Sequence, residues 1–117
     1  MVANAAVNGL YVEKKVEELK DKHPSNGDFR NTGLLGCIEL VKNRETKVPL
    51  VPWNAQGAEG AISGKIAAKI RALGMFTFVK WNFIFIAPPL MITEEQIDEG
   101  IDIISSALEI ADQYYEA

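Results

Sequence analysis

Ile97, Ile101, Ile104, Leu108, Ala111 and Tyr115 recur in alternating steps of four and three. That spacing lays one apolar stripe along about five turns of α-helix. A helix with a single apolar face has to be packed on another element, so this stripe alone demands a layered fold. Its start is written just upstream. Thr93 followed by Gln96 matches a capping box, in which each side chain satisfies a backbone N–H that the first turn leaves open. Before it, Pro88-Pro89 cannot continue a sheet ladder and ends whatever strand precedes.

The layer beneath the helix is legible in the rest of the chain. Ala5, Gly9, Val12, Val16 and Leu19 fall at helical spacing, with Glu13, Lys14, Lys15, Glu17, Glu18 and Lys20 mainly on the other face. This amphipathic helix should stop at His23-Pro24-Ser25-Asn26-Gly27, where Pro restricts the residue before it and Asn and Gly permit turn geometry. Leu34 to Val41 is a nearly continuous apolar run of strand length, bounded by Gly33 and by Lys42-Asn43-Arg44-Glu45, and predicts a mostly buried strand. Residues 42 to 57 hold Pro49 and Pro52 and keep no period, which predicts an irregular connection. Ile62, Ile66, Ile70 and Leu73 predict a second helix closed by Gly74. Met75 to Lys80 and Phe83 to Ala87, rich in aromatic and β-branched residues, predict two strands meeting at a Trp81-Asn82 turn. The order helix, strand, loop, helix, strand, strand, helix predicts one α/β domain of the α+β type over residues 1–117. Its sheet is small, three- to four-stranded and mainly antiparallel, with the helices packed on one face.

Charge and cysteine content narrow the function classes. A net charge of -4 with no basic stretch gives none of the electrostatic footprint of a nucleic-acid or anionic-membrane binder. No apolar run approaches the length of a membrane span, and no basic segment followed by an apolar one suggests a signal peptide. Cys37, the only cysteine, lies in an apolar run and reads as a buried structural thiol; together these features predict a cytoplasmic protein. His23 has no His, Cys or acidic pair at ligand spacing, so it reads as a helix-end residue rather than a metal ligand or catalytic base.

Two segments carry a resemblance. Gly27-Asp28-Phe29-Arg30-Asn31-Thr32-Gly33-Leu34-Leu35-Gly36-Cys37-Ile38-Glu39-Leu40 resembles the G-D-x-R-x-x-G-L-x-x-x-I-E-L segment in the C-terminal domain of class III, pyridoxal-phosphate-dependent aminotransferases. Phe85 to Asp98, with Pro88-Pro89-Leu90 and Ile92-Thr93, resembles that family's segment leading into its last helix. The two occur in the family's order, separated by a helix and Gly74-Met75-Phe76, and the match covers nearly the whole chain. The Phe78-Val79-Lys80-Trp81-Asn82 stretch is most similar to the taurine and omega-amino-acid transaminases.

The resemblance implies that this chain is the small domain of an enzyme moving an amino group from an amino acid or omega-amino donor to a 2-oxo acid. It implies a missing large domain and a homodimer partner. In the family the Schiff-base lysine, the acidic partner of the pyridine nitrogen and the phosphate cup belong to the large domain. The cofactor is therefore expected in the parent enzyme and none in this chain alone, which has no catalytic residue of its own. Lys14, Lys15, Lys20, Lys22, Lys65 and Lys69 fall on polar helix faces and read as solvated surface.

The small domain of such enzymes usually contributes to the substrate pocket, often with an arginine that grips a carboxylate through two parallel hydrogen bonds. Counting back from Pro88, the arginine position of ornithine-type members falls on Phe85, and that of the mobile arginine of omega-transaminases falls near Phe78. Neither phenylalanine binds an anion. Lys80, the nearest cation, is either a point charge for a carboxylate or sulfonate or an ordinary exposed residue at the hairpin shoulder. Arg30 is either a substrate contact or the partner of a nearby carboxylate. Trp53 and Trp81 pack under loops or face a lost domain interface.

Met1 to Ala5 reads as a start set in front of the middle of a helix, as in a truncated frame. A non-catalytic interaction module that keeps the small-domain fold is the alternative to a fragment. A stand-alone ferredoxin-like binding domain is the third reading, which fold analogy alone would not supply with both segments.

Overall fold

A computed structural model describes residues 2–52, 57–75, 79–89 and 91–116. Helices α1 (Val2–Lys22), α2 (Gly57–Ala72) and α3 (Glu94–Asp112) accompany strands β1 (Asn26–Thr32), β2 (Leu35–Leu40), β3 (Val79–Lys80) and β4 (Phe83–Ile86). The strands form one sheet in the order β1-β2-β4-β3, and every pairing is antiparallel. The expected α+β architecture is present, with the helices on one face.

Register decides which side chains meet them. Phe29, Ile38, Ile84 and Val79 stand opposite one another across the sheet, and Asn31, Gly36 and Ile86 form the next inward row. These rows meet Val12, Val16 and Leu19 of α1, Ile62, Ile66 and Ile70 of α2, and Ile97, Ile101, Ile104, Leu108 and Ala111 of α3. The α3 stripe is thus the centre of the core, apart from Tyr115, which lies beyond the end of α3. The capping box at its start is formed in full, by Thr93 and Gln96.

Four expectations need correction. The segment between the first turn and Gly33 is strand β1, although its Asn-Gly-Asp-Phe-Arg-Asn-Thr sequence is rich in turn formers. Pairing with β2 and packing under α1 overrides that weak local preference. The run predicted as a mostly buried strand buries one face only, because the twofold alternation turns Ile38 and Leu40 inward and Cys37 outward. Cys37 is therefore half-buried rather than buried. Leu73, placed on the inner stripe of the second helix, lies beyond the end of α2 and is 43% exposed. The expected strand Met75 to Lys80 is seen as β3 at Val79–Lys80; Phe76 to Phe78, like Trp53, lie outside the described residues.

The ends of the long helices are fastened by side chains rather than by packing alone. The Arg44 guanidinium donates to the carbonyl of Lys20 in the last turn of α1 and to those of His23 and Pro24 just beyond it. Asn4 and Asn8 both donate to the carbonyl of Ile92, at 3.1 and 2.8 Å, tying the start of α1 to the segment that leads into α3. Gly9 lets α1 cross directly on the β1–β2 turn, since a Cβ there would lie 2.5 Å from the Gly33 carbonyl oxygen. Among the described residues, no helix is long and apolar enough to cross a membrane.

Candidate functional site

The sheet face turned away from the helices carries most of the residues that sequence reasoning singled out. Lys80, Phe83, Glu39 and Asp28 form one row across the four strands, and Phe85, Cys37 and Arg30 form the next. Leu35, 62% exposed, and Thr32 close the face at the β1–β2 turn. Phe83 and Phe85, both half-buried, and the exposed Leu35 give this face an apolar character.

The two cations on this face have different environments. The Arg30 guanidinium lies 3.1 Å from an Asp28 oxygen and 3.0 Å from a Glu39 oxygen. Its hydrogen bond to Glu39, with the charges of Glu39 and Asp28, pushes its pKa further above the ordinary arginine value. Arg30 is therefore committed to carboxylates of its own sheet. Asp28, Arg30 and Glu39 all lie within the first quoted segment, and once β1 is recognised as antiparallel to β2 their convergence follows from the register. Missing β1 concealed it.

Lys80 has no carboxylate partner among the described residues; its ammonium lies 4.5 Å from the centre of the Trp81 ring. Trp81 occupies the expected hairpin turn in a left-handed conformation, φ 52°. Phe85 lies 6.2 Å, ring centre to ring centre, from Phe83. Phe78 is outside the described residues. Within the second row, burial pushes the Cys37 thiol upward, against the opposing charge of Arg30, so it stays protonated at neutral pH.

A cleft of about 510 Å³ lies between α3 and the segment after β4, lined by Phe85, Pro88, Pro89, Met75, Gly100 and Ile104 among others; of the residues named on the outer face, Phe85 alone lines it. Its wall is largely apolar, and the Asn4 and Asn8 bonds to Ile92 hold its proline rim in place.

Elsewhere, His23 is not a simple helix-end residue. It is 2% exposed, with Nδ1 2.6 Å from Asp112 Oδ2 and Nε2 2.8 Å from Ser105 Oγ. Asp112 also accepts from the Ser25 hydroxyl and N–H. The order serine, histidine, aspartate is that of a hydrolytic triad. However, Ser105 sits within α3, where backbone N–H groups are spent on the helix ladder, and it is only 8% exposed. Without donors for an oxyanion the arrangement serves as a clasp between the α1–β1 turn and the end of α3.

The described lysines do not fit a cofactor Schiff base, which needs an enclosed amine that gives up its proton readily. Lys15 is held between Glu18 and Asp98, and the charge of Glu18 foremost raises its pKa. Lys47 donates to the Gly27 carbonyl, and Lys65 to the Tyr114 hydroxyl. No lysine lines the 510 Å³ cleft. Among the described residues no group of His, Cys, Asp or Glu is placed to hold a metal ion.

Comparison with known proteins adds the following. The model of the family "Aminotransferase class-III" matches residues 1–108. The taurine–pyruvate aminotransferase of Bilophila wadsworthia is 30% identical, over 98% of this chain and 25% of its own length. An isoleucine 2-epimerase of Lentilactobacillus buchneri is 31% identical, over 92% of this chain and 22% of its own. Among solved structures, the taurine:2-oxoglutarate aminotransferase of Bifidobacterium kashiwanohense, in complex with PLP and glutamate, superposes with a TM-score of 0.85. It is 30% identical, and the match covers 95% of this chain and 24% of that one. The chain thus spans about a quarter of the length of the relatives it matches.

Proposed function

The chain belongs to the class III aminotransferases, and we propose that it is their C-terminal small domain, supplying one wall of the substrate pocket and none of the cofactor chemistry. The parent enzyme would transfer an amino group from an amino acid or omega-amino donor to a 2-oxo acid, as a homodimer with pyridoxal phosphate held by the large domain. That cofactor supplies the electron sink for transamination.

The observation carrying this reading is the outer sheet face. It gathers Lys80, Phe83, Phe85 and Leu35 in half-exposed or exposed positions, and Phe85 also lines the apolar cleft, in which no lysine stands. Such a face suits a domain interface that also borders a pocket. On it Lys80 would meet the distal anion of the donor, Phe85 would pack against the donor's chain, and Arg30 would hold β1 and β2 together rather than touch substrate. Phe78, at the mobile-arginine position, would leave the pocket apolar there. The free Cys37 thiol supports a reducing compartment, and we place the protein in the cytoplasm.

Pyridoxal phosphate titration tests the division of labour. After borohydride reduction and mass spectrometry, the purified chain should carry no stoichiometric adduct. One adduct on a single lysine would place the chemistry in this chain and end the proposal.

A further inference from the structure

Trp81 is an expensive residue where it stands. Its φ of 52° lies in the left-handed region, where a bulky side chain is a steric outlier and where Asn or Gly would serve a turn without strain. Three hydrogen bonds to two other elements pin the turn that imposes this conformation. The Ser63 hydroxyl of α2 donates to the Trp81 carbonyl. Asn82, 4% exposed, accepts from the Leu40 N–H at 2.7 Å through its own carbonyl and donates through its side chain to the Leu40 carbonyl. With the backbone held from both sides, the half-buried Trp81 ring packs against the core. The Lys80 ammonium rests 4.5 Å from the ring centre.

A lysine is ordinarily a poor anion grip, because its flexible stem must be ordered each time it binds. A ring beside the ammonium orders it beforehand and leaves its N–H donors free for an anion. We propose that Trp81 is a positioning residue for substrate. Its ring seats the Lys80 ammonium on the outer sheet face, so that the pair, clamped by Ser63 and Asn82, recognises amino donors carrying a distal carboxylate or sulfonate. The proposal rests on the assignment of this face to a substrate pocket. It goes beyond that assignment in making the ring, and not the lysine alone, the determinant of selectivity for anionic donors over neutral amines.

The test separates the seat from the fold. Trp81→Leu keeps apolar bulk and the same backbone strain but removes the π face, and Trp81→Phe restores a ring. With this chain joined to a lysine-bearing large domain, Trp81→Leu should raise KM for taurine or β-alanine roughly five- to tenfold. It should leave kcat, and KM for a neutral amine such as 1-phenylethylamine, unchanged, and Trp81→Phe should recover most of the loss. Equal losses on both donors, or no loss on either, overturns the proposal. In the chain alone, the Lys80 ε-methylene protons should show an upfield ring-current shift in NMR spectra that disappears in Trp81→Leu. Should the joined protein transaminate neither donor, the pocket assignment falls. The seat is then judged by that shift, and its absence from the unmodified chain overturns it.

Discussion

Replacing His23 with alanine is expected to lower the unfolding free energy by about 3 kcal/mol, at the scale of breaking a buried, charge-assisted network. The ring is 2% exposed and spans the gap between Asp112 Oδ2 and Ser105 Oγ. Alanine leaves a cavity of imidazole size, strands the Ser105 hydroxyl in the core, and withdraws one of the donors that hold Asp112. Asp112 keeps its two bonds from Ser25 and has some contact with water, which sets the loss below the upper end for a fully buried pair. The effect is amplified by position, because the clasp joins elements 89 residues apart in the chain, the α1–β1 turn and the end of α3. Urea denaturation should show the midpoint falling with the slope unchanged. His23→Gln, which keeps one donor, should recover part of the loss. If alanine costs under about 0.5 kcal/mol, the value ordinary for a surface substitution, the clasp does not stabilise the fold.

Gly9→Val is expected to cost a similar amount, about 3 kcal/mol, for the opposite physical reason: atoms are added where none fit. A Cβ on Gly9 would lie 2.5 Å from the Gly33 carbonyl oxygen and 2.7 Å from its Cα. The obstacle is backbone, and it cannot swing aside as a side chain would. Gly33 is itself fixed in the β1–β2 turn with φ 58°. Relief requires α1 to lift from the turn, which would strain the Asn31 bond to the Gly9 carbonyl and the Asn8 bond to Ile92. Glycine is a poor helix former, so valine regains a few tenths of a kcal/mol in propensity, far less than the clash costs. Gly64, where a Cβ meets nothing within 4 Å, is the control: Gly64→Ala should leave stability unchanged or raise it by up to about 1 kcal/mol. Thermal unfolding of the two variants side by side checks the prediction, and equal stabilities would contradict it.

What the sequence discloses and what it hides divide along a physical line. The α3 stripe, its capping box, the α2 face and the Trp81-Asn82 hairpin are local patterns, set by periodicity and turn chemistry, and each is present. Strand β1 is not local. Its residues favour turns, and only the ladder with β2 and the cover of α1 make it a strand, so Arg30, Asp28 and Glu39 were not seen as one cluster. His23 was hidden for the same reason, since its partners lie 82 and 89 residues away. A continuous apolar run does not say which of its two faces is covered; the structure covers only one, and Cys37 lies on the other. At the candidate site, Lys80 and Phe85 could be located by counting from Pro88-Pro89. The seating of Lys80 on Trp81 depends on a left-handed turn that no residue type announces.

The central claim is that this fold completes an aminotransferase whose cofactor lysine lies in another domain. The most direct measurement joins this chain, in place of the quarter it matches, to the remainder of the Bifidobacterium kashiwanohense enzyme and assays transfer of an amino group to 2-oxoglutarate. The account predicts pyridoxal-phosphate-dependent turnover well above that of the truncated large domain, abolished when the large-domain lysine is replaced. A folded chimera that holds the cofactor on that lysine yet turns over no faster than the truncated domain would contradict it.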